Sequence, residues 1–184
     1  MKTTAQLFEQ GMAAISLSHH ADYHSEFVGD LQDAVAAFDQ VLALEPTHLR
    51  ALQERGFALA LLDEHERALD SFVAAVCLAP ADAELRLAVA QSLLKLERPE
   101  AALASLDEVL RLRPGDPEAL FRRASALTAL GRDAAAVAAW DEVLALPDNR
   151  SLNLHGRTMR VLTGDFRRDQ AKAARALALG RLGR

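Results

Sequence analysis

Apolar residues along this chain recur at spacings of three and four, the period of one helix face, and the pattern itself recurs. Ala34, Ala68, Ala102 and Ala136 are each followed four residues later by a bulky group, Phe38, Phe72, Leu106 and Trp140. Three residues further on stand Val41, Ala75, Val109 and Val143. Each stretch closes on a proline in a similar phrase, VLALEP at 41–46, AVCLAP at 75–80, VLRLRP at 109–114 and VLALP at 143–147. Pro46, Pro80 and Pro114 lie 34 residues apart, and Pro147 follows after 33. Proline lacks an N–H and clashes with the preceding turn, so each helix should stop there.

A second helix is predicted ahead of each of these within the period. Leu52, Gly56 and Leu59 hold slots that Arg86, Ala90 and Leu93, then Leu120, Ala124 and Leu127, hold in the following units. The small residue in the middle slot lets the two helices of a hairpin approach closely. Turns are predicted near Asp63-Glu64, Glu97-Arg98-Pro99 and Gly131-Arg132-Asp133.

This pattern resembles the tetratricopeptide repeat, a 34-residue helix–turn–helix unit with the signature W-x2-L-G-x2-Y, then A-x3-F, then P. Residues 49–82 carry Leu52, Arg55, Gly56 and Leu59, then Ala68 and Phe72, then Pro80, with leucine in place of both aromatic residues of the first helix. Units 83–116 and 117–149 match less closely in the first helix and well in the second. The resemblance implies an all-α fold, a right-handed superhelix of antiparallel helix pairs forming one α-solenoid domain over 1–184. It also implies a concave groove, lined by the first helices, that binds a peptide or helix of a partner protein. By phase with the family, that groove should display Arg50, Gln53, Phe57, Leu87, Gln91, Phe121, Arg122 and Ser125, with Arg50 and Arg122 near its rim. Phe57 and Phe121 are expected on faces the hairpin core does not need. The groove slots hold neither Lys nor Asn, which disfavours a carboxylate clamp and favours apolar anchoring of the partner.

The ends of the array depart from the repeat. Leu7, Gly11 and Ala14 reproduce the spacing of Leu52, Gly56 and Leu59, so residues 4–48 read as a modified first unit with an insertion at 16–28. Within it the chain has eleven residues more ahead of Gly29 than a standard unit, about three helical turns, which keeps the face in phase. Phe8, Met12, Ile15, His19, Tyr23 and Phe27 lie along one such face, which favours a long or kinked first helix over a loop at 18–28. Residues 150–184 read as a capping helix pair, 151–163 and 166–180, with Asp165 as N-cap and Gly180 as the stop. Arg167, Arg168, Lys172 and Arg175 give it the polar face that a terminal repeat requires.

Composition agrees with a helical reading. The chain has 37 Ala and 32 Leu but only 17 β-branched residues among its 184, which excludes a β sandwich or barrel. No uncharged apolar stretch approaches the ~18 residues of a membrane span, and Glu9 interrupts the apolar residues that follow Lys2, so no secretory signal is expected. The single cysteine, Cys77, excludes an intrachain disulfide and fits a cytoplasmic location. A buried, inert thiol is expected there. The net charge of −5 conceals a split, with −5 over residues 1–50 and +7 over residues 150–184. That split implies either an anionic partner for the tail or contact between tail and body.

Catalytic signals are absent: no GxSxG, no phosphate-binding glycine loop and no CxxC, so the chain is not expected to be an enzyme or to carry a cofactor. His20 and His24 stand four apart and are the weak candidates for a metal, but zinc asks for three or four ligands. His65 is expected as a solvated turn residue and Trp140 as core. The expected function is a scaffold or adaptor for another protein, present as a monomer or weak self-associating species. The alternative is a binder of nucleic acid or an anionic surface through the basic C-terminal pair.

Overall fold

In the computed structural model, which describes residues 2–18, 24–146 and 164–183, every regular element among the described residues is an α-helix. The helices are α1 (Thr4–Ser18), α2 (His24–Leu44), α3 (Leu49–Leu61), α4 (His65–Leu78), α5 (Ala83–Lys95), α6 (Pro99–Leu112), α7 (Pro117–Ala129), α8 (Asp133–Leu144) and α9 (Gly164–Arg181). They fall into two compact units, Met1–Leu96 with α1–α5 and Glu97–Arg184 with α6–α9.

The helix boundaries follow from local chemistry that repeats with the period. His48, Asp82 and Asp116 occupy one slot and cap α3, α5 and α7. His48 Nδ1 accepts from the Ala51 N–H at 3.2 Å, Asp82 Oδ1 from Glu84 at 2.9 Å, and Asp116 Oδ1 from Glu118 and Ala119 at 3.0 and 2.9 Å. These are the orphan donors of a helix start, which a side-chain acceptor satisfies. The intra-repeat turns also share a slot. Asp63, Glu97 and Gly131 all take left-handed backbone, at φ of 63°, 55° and 66°. Only the glycine does so without strain.

The first unit packs around two phenylalanines. Phe38 is buried with Leu7, Phe8, Ile15, Ala34, Val41 and Ala51. Gly11 faces it so closely that a Cβ there would meet Phe38 Cε1 at 2.6 Å. Gly56 faces Phe72 in the same way, again at 2.6 Å. Gly11 and Gly56 thus do the same work in α1 and α3, as the spacing of their neighbours predicts. In the second unit Leu103, Leu106 and Val109 of α6, Leu120, Ala124 and Leu127 of α7, and Ala136 and Trp140 of α8 are buried.

Residues 19–23 of the insertion, on which the expectation of a long or kinked first helix rests, lie outside the described residues. α1 is described to Ser18, whose hydroxyl donates to the Ile15 carbonyl at 2.8 Å. Residues 24–28, Phe27 among them, belong to α2, which has 21 residues against 14 in α4 and α6. At the other end Asp165 lies in the first turn of α9, and Gly183, at φ 70°, takes the terminal turn expected of Gly180. The predicted cap helix at 151–163 lies outside the described residues.

Candidate functional site

The residues predicted to line a groove are treated unit by unit. Arg50, Gln53 and Phe57 share one face of α3, at spacings of three and four. Phe57 is half-buried and its ring stands edge-on to Phe72, with centroids 5.0 Å apart at 61°. The ring therefore belongs to the hairpin core as well as to the face, contrary to the expectation from sequence. An edge-to-face pair of this kind holds both rings in place. Gln53 is half-buried one turn earlier. The guanidinium of the exposed Arg50 lies 5.3 Å from the centroid of Phe8, and Phe8 stacks on His48 at 5.2 Å. A cation over an aromatic face is attracted by its quadrupole, so Arg50 is tied directly to α1 through Phe8, on which the residue that caps α3 also stacks.

Two groove candidates stand on α5. Leu87 is buried, at 7% exposure, so it is not displayed to a partner. Eight of the 13 residues of α5 are buried, Leu85, Val89 and Leu93 among them. Gln91 is half-buried, with Nε2 enclosed and without a hydrogen-bond partner.

In the second unit α7 carries Phe121, Arg122 and Ser125. Phe121 stands edge-on to Trp140, 5.2 Å between centroids at 80°, so it too touches the hairpin core. Trp140 is itself fixed, its Nε1 donating to Thr128 Oγ1 at 2.9 Å. The Ser125 hydroxyl is spent on its own helix, donating to the Phe121 carbonyl at 2.9 Å. Arg122 lies with Nε 2.6 Å from Oε1 of Glu118, a carboxylate only 7% exposed. Arg167 Nη1 of α9 donates to the other oxygen, Oε2, at 2.7 Å. The Arg167 guanidinium also sits 5.1 Å above the Phe121 ring. Burial pushes Arg122 below the usual arginine value; the Arg167 charge adds to this and Glu118 opposes it. The position predicted for the rim is thus a buried carboxylate held between two half-buried arginines, a cluster that α9 completes.

Glu118 and Arg167 were not legible as site residues. Glu84 occupies the Glu118 slot one period earlier and is exposed, so the type and spacing of the residue carry no signal of burial. Two further basic groups of α9 are turned to carboxylates of α8, Arg175 to Asp141 and Arg181 to Asp133 at 3.4 Å, so for these the charge split is met by contact between tail and body. Lys172 pairs within α9, with Asp169 at 3.3 Å.

Chemistry elsewhere is sparse. His20 and the side chain of His24 lie outside the described residues. Among the described residues no group of three or more His, Cys, Asp or Glu could hold a metal ion, and no described helix is long and apolar enough to cross a membrane. Cys77 is exposed rather than buried. The buried face of α4 runs through Ala68, Ser71, Phe72 and Ala75, and a residue two beyond Ala75 points about 200° away from it. His65 is more enclosed than a solvated turn residue, at 12% side-chain exposure, with Nε2 2.9 Å from Asp63 Oδ1.

Paired helices with small residues at their crossings, repeated at 34 residues, define a helical repeat protein. The tetratricopeptide repeat model matches residues 27–83 and 87–151, and the chain belongs to that family. Its fold is similar to solved structures of MamA. MamA from Desulfovibrio magneticus RS-1 is 24% identical with a TM-score of 0.66, over 77% of this chain and 74% of that one. MamA of AMB-1 is 17% identical with a TM-score of 0.71, over 82% and 76%. A further MamA crystal structure is 19% identical with a TM-score of 0.65, over 94% and 91%. At these identities the likeness is one of fold. No curated protein matches the chain.

Proposed function

We propose that this chain is a non-catalytic scaffold that receives a peptide or helix of a partner protein on the inner faces of its first helices. In the first unit the face of α3 carries the reading. Phe57 is half-buried and fixed against Phe72, with Gln53 half-buried one turn away. A rigid aromatic beside an amide binds at low entropic cost, the ring supplying apolar area and the amide hydrogen bonds to a peptide backbone. Arg50 stands at the rim. The single thiol fits a reducing cytoplasm.

The alternative, a binder of nucleic acid or an anionic surface, draws less support. Arg167, Arg175 and Arg181 each contact a carboxylate of the same unit, and phosphate binding needs accessible cations.

The test is capture of partners from a lysate by the full chain, compared with the Gln53→Ala/Phe57→Leu variant. Leucine keeps apolar contact with Phe72, so the fold should survive a thermal melt. A specifically captured protein should be lost or weakened by at least tenfold, about 1.4 kcal/mol. Equal capture by both chains would refute the α3 face as the binding surface.

A further inference from the structure

We propose that the carboxylate of Glu118 and the ring of Phe121 form a receptor for an arginine side chain, filled in this chain by Arg167 and open to an arginine-bearing segment of another protein when α9 lifts. The inference rests on the reading that the chain receives a partner segment, and it names the chemistry of that segment for the second unit.

Arg167 itself shows what the receptor takes. One guanidinium nitrogen reaches Glu118 Oε2 at 2.7 Å while the guanidinium carbon lies 5.1 Å from the Phe121 centroid. A flat, delocalised cation satisfies a carboxylate edge and an aromatic face together, whereas an ammonium is a compact point charge that suits the first better than the second. The receptor is rigid before anything binds. Phe121 is braced by Trp140, Trp140 by Thr128, and Oε1 of Glu118 is already engaged by Arg122. Only Oε2 and the ring face are left for a second guanidinium. The Arg122 ion pair also balances the carboxylate, so departure of Arg167 leaves no isolated buried charge.

The occupant is held lightly. Among its described residues α9 fully buries only Ala171 and Ala178, with Leu179 half-buried, and leaves Leu177 exposed. Its other ties, Arg175–Asp141 and Arg181–Asp133, are ion pairs with at least one exposed partner, although Asp133 itself is 14% exposed. Such pairs contribute little and weaken with salt. A helix attached in this way can yield its place to a competing segment that offers the same guanidinium with better apolar contacts.

The experiment uses a fluorescein-labelled peptide of residues 164–183 as probe, titrated into the full chain and followed by anisotropy. One host is the native chain. The other carries Arg167→Ala, Arg175→Ala and Arg181→Ala, which loosens its own α9. The loosened host should bind the probe at least tenfold more tightly than the native chain. A probe with Arg167→Lys should lose several-fold in affinity for that host, and one with Arg167→Ala at least tenfold. These probe changes leave the protein untouched, so the arginine dependence cannot come from a folding defect. Should the loosened host fail to melt cooperatively, the single variant Arg167→Ala serves as host with the same expectations. A folded host that ignores the probe, or that binds the Arg167→Ala probe as tightly as the native one, overturns the proposal. So does a native dimer in sedimentation that Arg167→Ala dissolves, since the receptor would then belong to a second copy. Such failures leave partner capture through α3 untouched, and loss of capture leaves the probe titration readable.

Discussion

Gly56→Ala is the sharpest test of the packing. The added Cβ would lie 2.6, 2.8 and 2.9 Å from three atoms of the Phe72 ring. Carbon atoms are comfortable at about 3.5–4.0 Å, so the ring must retreat by roughly 1 Å. It has little room, because it is 1% exposed and abuts the Phe57 ring at 5.0 Å. Overpacking of this kind costs about 1–3 kcal/mol. Against it stands the gain of about 1 kcal/mol when alanine replaces glycine inside a helix. The clash should win, for a net loss of about 1 kcal/mol.

A second substitution turns this into a cycle. Phe72→Leu alone leaves a small void and should cost about 1–2 kcal/mol, less than a full truncation to alanine. With leucine in place the new methyl has space, so Gly56→Ala should become stabilising by its helix gain. The chain already uses this combination one period later, where Ala90 and Leu106 hold the two slots. The expected coupling between the two sites is about 2 kcal/mol. Urea unfolding followed by circular dichroism, read as midpoint shifts at constant slope, measures it. A Gly56→Ala chain more stable than the native one, or simple additivity in the double variant, would show that the ring yields freely and that helix propensity alone governs this position.

Three further outcomes follow from local geometry. Glu97→Gly should stabilise the chain by about 0.5–1 kcal/mol by relieving left-handed backbone, whereas Gly131→Ala should cost about 1 kcal/mol; a pair of thermal melts shows whether the signs are opposite. Asp116→Ala removes the acceptor for two N–H groups at the start of α7 and should cost about 1 kcal/mol, with faster amide exchange confined to the first turn of that helix. Cys77, being exposed, should react with iodoacetamide in the folded chain within about tenfold of its rate in urea; protection far beyond that would contradict its position on α4.

The repeat itself was legible in the sequence because its causes are local. A proline stops a helix wherever it stands, and an alanine four residues before a bulky group marks one face. These rules gave the hairpins and their turns. They also gave the equivalence of Gly11 and Gly56, since a small residue opposite a phenylalanine is a requirement two residues can state on their own. One ion pair follows the same logic without having been read. Asp39–Arg55 and Asp107–Arg123, at 2.6 and 2.9 Å, occupy equivalent slots two periods apart, and Val73 and Val89 replace both partners in the period between.

Burial and long-range pairing needed the tertiary structure. Leu87 stands in the slot of Gln53 and Phe121, yet it is buried where they are half-buried, and a repeat pattern is blind to how many neighbours a side chain acquires. Phe57 and Phe121 reach the aromatic groups of their hairpins because ring size carries them across a face boundary that a helical wheel draws too sharply. Glu118 is 49 residues from Arg167. Nothing in the local sequence of either says that α9 folds back over α7, and the attraction between the two charges, less screened where the pair is shielded from water, must offset the cost of desolvating them, which arises only once the helices meet.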